Sequence, residues 1–316
     1  MPDGRLDLSG QIVAVTGAGG FIGSALVRAL LGRGAQVRAL VGPPGQETFE
    51  LPEGVIALRA DIEDRALLSR LAGDAKVAIH LAGPPSVAAS FDDPAECCRV
   101  HVGGTVAVLE ACRLAGLRRF LYVSSAEVYG RTPPNPVSEN HARRPRSPYG
   151  AAKAAAEQFV EAYARGGDIE TFVLRPFSVY GPGLRRTSVV GAIVRQALWE
   201  EEIVLADLRP VRDYCFVDDV VEGIIRAAEA PPSAPRTFNL GSGAGTAVGA
   251  LAARVLAVGG RMLPVREKPS HHRRALADID YLVADPSLAA RALGWTPAVS
   301  LEDGLCRTLR WMESHR

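Results

Sequence analysis

Gln11-Ile12-Val13-Ala14-Val15 leads into Thr16-Gly17-Ala18-Gly19-Gly20-Phe21-Ile22-Gly23-Ser24 and then into Ala25-Leu26-Val27-Arg28-Ala29-Leu30-Leu31. The first stretch is a short apolar run, which predicts a strand buried on both faces, and the last is spaced as a helix. Strand, glycine-rich turn and helix in this order make a seat for a pyrophosphate. Gly17, Gly20 and Gly23 let the backbone turn and the phosphate approach, while N–H groups at the helix start, around Phe21 and Ile22, face the anion. The same glycines would also serve a loop that only needs tight packing. Their place after the first strand of an alternating pattern favours the phosphate reading.

Working outward, further strand-like runs fall at Gln36–Val41, Val55–Arg59, Lys76–Leu81, Phe120–Ser124 and Glu170–Arg175. Helical stretches start near Gly20, Glu63, Pro94 and Ser147. Such alternation predicts an α/β fold: a doubly wound parallel (Rossmann) sheet with helices on both faces and right-handed crossovers. Ligands of such sheets bind beyond the carboxyl ends of the strands. The glycine turn, Leu81-Ala82-Gly83, Ser124-Ser125 and Arg175-Pro176 all fall there.

After about Arg175 the texture becomes rich in turns, as in Tyr180-Gly181-Pro182-Gly183 and Ala230-Pro231-Pro232-Ser233-Ala234-Pro235. The expected division is a dinucleotide-binding domain over 1–178, to which 214–242 returns, and a smaller substrate-binding cap from 179–213 and 243–316. The Pro-rich stretch Arg131–Pro148 reads as a long surface loop, a candidate lid.

The 316 residues are 47% hydrophobic with a formal charge of +1, which gives no electrostatic case for nucleic acid or an anionic membrane as partner. No secretory signal is visible, and the five cysteines lie among apolar residues without metal-ligand spacing, so thiols in a reducing cytoplasm are expected. His271-His272 has no accompanying cysteine or carboxylate cluster, and no metal site is expected.

Ser147-Pro148-Tyr149-Gly150-Ala151-Ala152-Lys153 carries the chemistry. Ser147 and Pro148 suit an N-cap and first helical position, and the four-residue spacing puts Tyr149 and Lys153 on one helix face. An ammonium about 4 Å from a phenolate would contribute roughly 4 kcal/mol at an effective dielectric near 20, enough to bring the phenol from about 10 towards neutrality.

With these residues quoted, the chain resembles the extended short-chain dehydrogenase/reductase family, in its nucleotide-sugar epimerase/dehydratase branch, over nearly its whole length. The resemblance rests on Thr16-Gly17-x-x-Gly20-x-x-Gly23, Asp61-Ile62, His80-Leu81-Ala82-Gly83, Ser124-Ser125-Ala126-Glu127-Val128-Tyr129-Gly130 and Tyr149-Gly150-x-x-Lys153. It continues through Leu174-Arg175-Pro176-Phe177, Arg212-Asp213-Tyr214, Asn239-Leu240-Gly241-Ser242-Gly243 and Leu293-Gly294-Trp295-x-Pro297. The family implies that Tyr149 is the acid/base, that Lys153 lowers its pKa and holds the ribose, and that Ser125 hydrogen-bonds the reacting sugar oxygen. It implies an NAD site, with NADP left open, that includes Asp61, Ile62, Leu81, Ala82, Gly83, Ser124, Tyr149, Lys153 and Pro176. It implies nucleotide-diphosphate-sugar contacts from Ser86, Ser125, Arg212 and either Arg273 or Arg274, and a homodimer through the helices starting near Pro94 and Ser147.

Three departures matter. Val41 stands where many NAD-binding relatives have an Asp for the ribose 2′-OH, and Arg38 is near enough in sequence to attract a 2′-phosphate instead. His101 replaces the family's Asn before Val102-Gly103-Gly104-Thr105, where a histidine with a local partner is the expected role. Ala126-Glu127 lacks one carboxylate and keeps another, so Glu127 is a candidate base for elimination from a 4-keto-sugar and otherwise a pocket-wall carboxylate. The expected activity is epimerisation or dehydration of a nucleotide-diphosphate sugar by transient oxidation at C4. The alternatives are an NADPH-dependent 4-ketoreductase and a non-catalytic cofactor-binding scaffold.

Overall fold

The computed structural model describes residues 4–43, 45–46, 48–167, 169–234, 236–268 and 279–315. The first apolar run is strand β1 (Ile12–Thr16), followed by β2 (Gln36–Val41), β3 (Ile56–Arg59), β4 (Val77–His80), β5 (Arg119–Val123) and β6 (Glu170–Pro176). Then come β7 (Ser178–Tyr180), β8 (Ile203–Leu205), β9 (Val211–Phe216), β10 (Thr237–Leu240), β11 (Gly245–Ala247), β12 (Val265–Glu267) and β13 (Tyr281–Leu282). Strands β1 to β6 and β10 form one seven-stranded parallel sheet in the order β10-β6-β5-β4-β1-β2-β3. The chain winds outward from β1 to β3, returns, and winds the other way from β4. The order therefore reverses between β1 and β4, where such sheets open a ligand crevice.

Alternation along β1 explains the two layers. Val13 and Val15 join the core under helices Phe21–Gly32 and Val217–Glu229. Ala14 points to the opposite face, where Arg65–Ala72, Gly104–Leu114 and Pro148–Gly166 pack with Leu40, Ala78 and Phe120. The helix expected from Pro94 is not continuous. Pro94–Cys98 passes into a π-helical turn at Arg99–Gly103 before Gly104–Leu114 begins. Gly104 lies so close to Ile62 that a Cβ there would come within 2.7 Å of its side chain.

The stretch expected as a lid is strapped down. Val137 is fully buried, its N–H donates to Val283 O (2.8 Å) and its carbonyl accepts from Asp285 N (2.9 Å). The Glu139 carboxylate accepts from Asn239 N, and Arg143 reaches Glu157 and Glu161 from the same stretch. Apolar burial of Val137 and three charged anchors outweigh the loop entropy that the prolines suggest.

Beyond β6, β9 pairs in parallel with β7 and β13 and antiparallel with β11, while β8 pairs with β12. The Asp213 carboxylate, fully buried, accepts from Ser242 N, Ser242 Oγ, Gly243 N and Ala284 N, and so fastens these turns together. Trp295 Nε1 donates to Asp219 O, whose own carboxylate takes Ala298 N and Val299 N. These bonds give the late sequence signatures a structural purpose.

Candidate active site

The glycine turn closes on the end of β4. Gly17 has φ +68, and a Cβ on it would lie 2.8 Å from Ala82 N; one on Gly23 would run into Gly17 O. Both positions therefore exclude side chains by contact, and Gly17 by conformation as well. The helix that follows has Gly20 as its N-cap, with no side-chain cap and no acid in its first turn. Its opening N–H groups, at Phe21 and Ile22 among them, thus meet neither a capping oxygen nor a repelling carboxylate, which fits a dinucleotide pyrophosphate.

A directed hydrogen-bond chain braces this floor. Thr105 Oγ1 donates to His101 O (2.6 Å), so it must accept from His80 Nε2–H (3.0 Å). His80 Nδ1 is then bare and accepts from Thr16 Oγ1 (2.6 Å), which itself accepts from Ala82 N (3.3 Å). His80 is accordingly a neutral Nε2–H tautomer, and burial holds its pKa well below the ordinary value. Leu81, Ala82 and Gly83 follow directly. Gly83, at φ +131, presses on the His101 ring, which a Cβ there would strike at Cε1. His101 is buried, stands edge-on to Tyr149 at 5.3 Å and donates from Nε2 to Pro84 O (3.1 Å). Burial, then the Lys153 charge, hold it down at about 3. It is a neutral packing histidine, as its sequence context led us to expect.

Ser125, Tyr149 and Lys153 converge at the carboxyl end of β5. Ser125 begins the short helical turn Ala126–Val128, and its hydroxyl accepts from Glu127 N (3.2 Å). Lys153 Nζ donates to Val123 O (2.9 Å) and lies 4.9 Å from the Tyr122 ring centroid and 6.0 Å from that of Tyr149. The pKa expectation is corrected. Burial pushes the Tyr149 phenol up to about 12, the bond it draws from Ser125 pulls it back, and the Glu127 charge pushes it further up. Burial likewise brings Lys153 down to about 8, against the opposing pull of Glu157. Desolvation is the largest influence on both groups and disfavours both charged forms. The resting site holds a neutral phenol beside a lysine poised near its own titration point.

Arg38 is the predicted residue that the structure draws away; the others are placed as follows. Arg38 is committed to the end of helix Arg65–Ala72, donating to the carbonyls of Arg70 (2.8 Å), Leu71 (3.2 Å) and Gly73. It lies mid-strand, opposite Ala14, so strand geometry removes it from the cofactor end. The Ser124 hydroxyl donates to Glu157 (2.5 Å). Asp61 follows β3 and is clamped by Arg99 at 2.9 and 3.1 Å, which, together with Glu63 N–H, holds its carboxyl below the usual range. Ile62 is buried against Gly104, Pro176 closes β6, and the Ser86 hydroxyl accepts from Ala89 N (3.1 Å). Arg212 lies on β9 and donates to Val211 O (3.0 Å). Arg273, Arg274, His271 and His272 lie outside the described residues. Among the described residues no group of His, Cys, Asp and Glu is arranged to hold a metal ion, and no helix is long and apolar enough to cross a membrane.

Sequence reasoning missed two supports. Ser90, buried, donates to Val87 O (2.7 Å) and accepts from Tyr149 N (3.1 Å), while Ser147 Oγ accepts from Gly150 N (3.1 Å). Two hydroxyls from separate segments thus satisfy the first turn of the helix that carries Tyr149. Glu157, fully buried one turn beyond Lys153, accepts from Arg175 Nε (3.0 Å) and Nη2 (2.7 Å), Arg143 Nη1 (2.9 Å) and Ser124. Its i,i+4 spacing from Lys153 was the available signal; Ser90 offered none.

Strand-end crevice, pyrophosphate cradle and Ser-Tyr-Lys group together define an extended short-chain dehydrogenase/reductase. The chain belongs to the NAD dependent epimerase/dehydratase family, whose pattern it matches over residues 13–241. It is 34% identical to the UDP-glucose 4-epimerase of Mycolicibacterium smegmatis, over 95% of this chain and 98% of that one. It is 33% identical to the dTDP-glucose 4,6-dehydratase of Streptomyces griseus, over 96% and 94%. The crystal structure of the Thermus thermophilus UDP-glucose 4-epimerase in complex with NAD superposes with a TM-score of 0.87 at 29% identity, over 96% of this chain and 100% of that one. The protein is an NAD(P)-dependent enzyme of the nucleotide-sugar epimerase/dehydratase type, and NAD is its cofactor.

Proposed function

We propose that the enzyme oxidises a nucleotide-diphosphate sugar transiently at C4 and then epimerises or dehydrates it. The observation that carries this is the Ser125, Tyr149 and Lys153 group at the carboxyl end of β5, beside the glycine turn. NAD, when bound, takes up and returns the hydride of the sugar carbon. Tyr149, having first released its resting phenol proton to solvent, accepts the proton of the C4 hydroxyl as phenolate and later gives it back. Ser125 orients that hydroxyl through its own, and Lys153, anchored on Val123 O, supplies the positive charge that makes the phenolate accessible. Ser86 and Arg212 bind the substrate, Arg212 through its diphosphate. Residues 179–213 and 243–316 act as the cap, and 1–178 with 214–242 as the dinucleotide-binding domain. Leu114 and Phe159, exposed apolar side chains at the helices Gly104–Leu114 and Pro148–Gly166, support a homodimer, which a monomeric mass in light scattering would refute.

Glu127 decides between outcomes. Ala126, buried beside it, offers no acid for a leaving hydroxyl, whereas Glu127 can remove the C5 proton made acidic by oxidation at C4. Incubating a panel of nucleotide sugars in D2O and following products by NMR tests the whole scheme. Epimerisation at C4 leaves C5–H protiated; elimination exchanges it. No conversion of any nucleotide sugar would refute the reading. A second reading, reduction of a 4-keto-sugar by NADPH, is supported by Val41 in place of a carboxylate at the end of β2.

A further inference from the structure

The stripe of helix Pro148–Gly166 that carries Tyr149 and Lys153 has a third member. Glu157 stands one turn beyond Lys153, so the three side chains leave the same face. They engage three successive residues at the carboxyl end of β5. Lys153 Nζ donates to Val123 O (2.9 Å), Glu157 Oε1 accepts from Ser124 Oγ (2.5 Å), and Tyr149 is hydrogen-bonded to Ser125.

The Glu157 carboxylate also holds the far side of Ser125. Arg175 binds it through Nε (3.0 Å) and Nη2 (2.7 Å) and gives Nη1 to the Tyr129 hydroxyl (2.9 Å). Tyr129 caps the short helical turn Ala126–Val128 that Ser125 begins, and its own proton goes to Asn239 Oδ1 (2.7 Å). Ser124 before the serine and Tyr129 after it are thus tied to one fully buried group. Charge balance does not call for this arrangement. Arg175 and Arg143 already pair with Glu157, so the buried charge is compensated without a serine. The Ser124 bond is short and charge-assisted, and it falls on the residue that leads into Ser125. A misplacement of about 1 Å at such a point can cost roughly 10²-fold in rate.

We infer that Glu157 is a positioning residue of the reaction: it anchors Ser124 directly and Tyr129 through Arg175, and so fixes the Ser125 hydroxyl against Tyr149. The inference rests on the roles given to Ser125 and Tyr149 under the proposed function, and it adds the group that sets their geometry.

Ser124→Ala is the deciding variant, because it removes one hydrogen bond and leaves both guanidiniums on Glu157. Hydrogen–deuterium exchange of the NAD-loaded enzyme reads the geometry without any sugar. Amide exchange over residues 124–129 should quicken at least about fivefold, with the helix Pro148–Gly166 unchanged. For the sugar that NMR identifies as substrate, kcat should fall about tenfold or more, with KM and NAD affinity within about twofold of the parent. Glu157→Gln should slow kcat as well, and the combined variant should lose less than the product of the single losses. Ser124→Ala decides on its own should Glu157→Gln fail to fold. Unchanged exchange, or kcat within about twofold of the parent, overturns the positioning role and leaves the proposed function standing. Equal fractional losses in kcat and sugar affinity, or single losses that multiply in the combined variant, overturn it too. A parent enzyme that converts no nucleotide sugar overturns the proposed function, and this role with it.

Discussion

Tyr149 and Lys153 show where spacing informs and where it stops. Four residues on a helix placed both side chains together, and that was legible in the sequence. Their protonation was not, because it depends on how thoroughly β5, the helix Pro148–Gly166 and the His101 ring exclude water from them. Lys153→Met provides a check with a definite sign. The folded-state value, about 8, lies below the ordinary lysine range, so the fold disfavours the bound proton. The penalty is fully present below pH 8 and fades as pH rises towards about 10.4, the value expected for an unfolded chain. Removing the amine should therefore raise thermal stability at pH 7, by up to ~3 kcal/mol, while abolishing turnover. A variant less stable than the parent at pH 7, measured by denaturant melts, would contradict this burial account.

At the scale of elements, the strands were legible wherever apolar runs were continuous. Gln36–Val41 matches expectation residue for residue, and the others differ by a residue or so at their ends. The π turn at Arg99–Gly103 was invisible, since local composition there still reads as helix; the structure packs its His101 ring against Gly83. The supports of the helix Pro148–Gly166 were hidden for a similar reason: Ser90 and Arg175 reach it from far away in sequence. Ser90→Ala leaves one helical N–H unsatisfied and should lower stability by about 1 kcal/mol, with a larger fractional loss in kcat than in substrate affinity. Equal loss in both would make Ser90 a packing residue only. Glu157→Ala strands Arg175 in a buried site and should destabilise by about 3–5 kcal/mol in urea unfolding. A loss under about 1 kcal/mol would mean the network is dispensable.

For the molecule as a whole, the alternation of strands and helices up to Arg175 sufficed to predict the parallel sheet and its crevice, because each βαβ unit is local. The later part resisted prediction. Its small sheet draws on β7, β9, β11 and β13 from distant stretches, joined through Asp213, and no local pattern announces such pairings. The most direct test of the account is the rate at which the enzyme converts the nucleotide sugar that NMR identifies as its substrate, compared with Tyr149→Phe. Loss of one proton-transferring oxygen should slow turnover by about 10²–10⁴ while the variant still binds that sugar and NAD. A Tyr149→Phe enzyme turning over within a factor of about three of the parent would contradict the assignment of Tyr149 as the proton carrier.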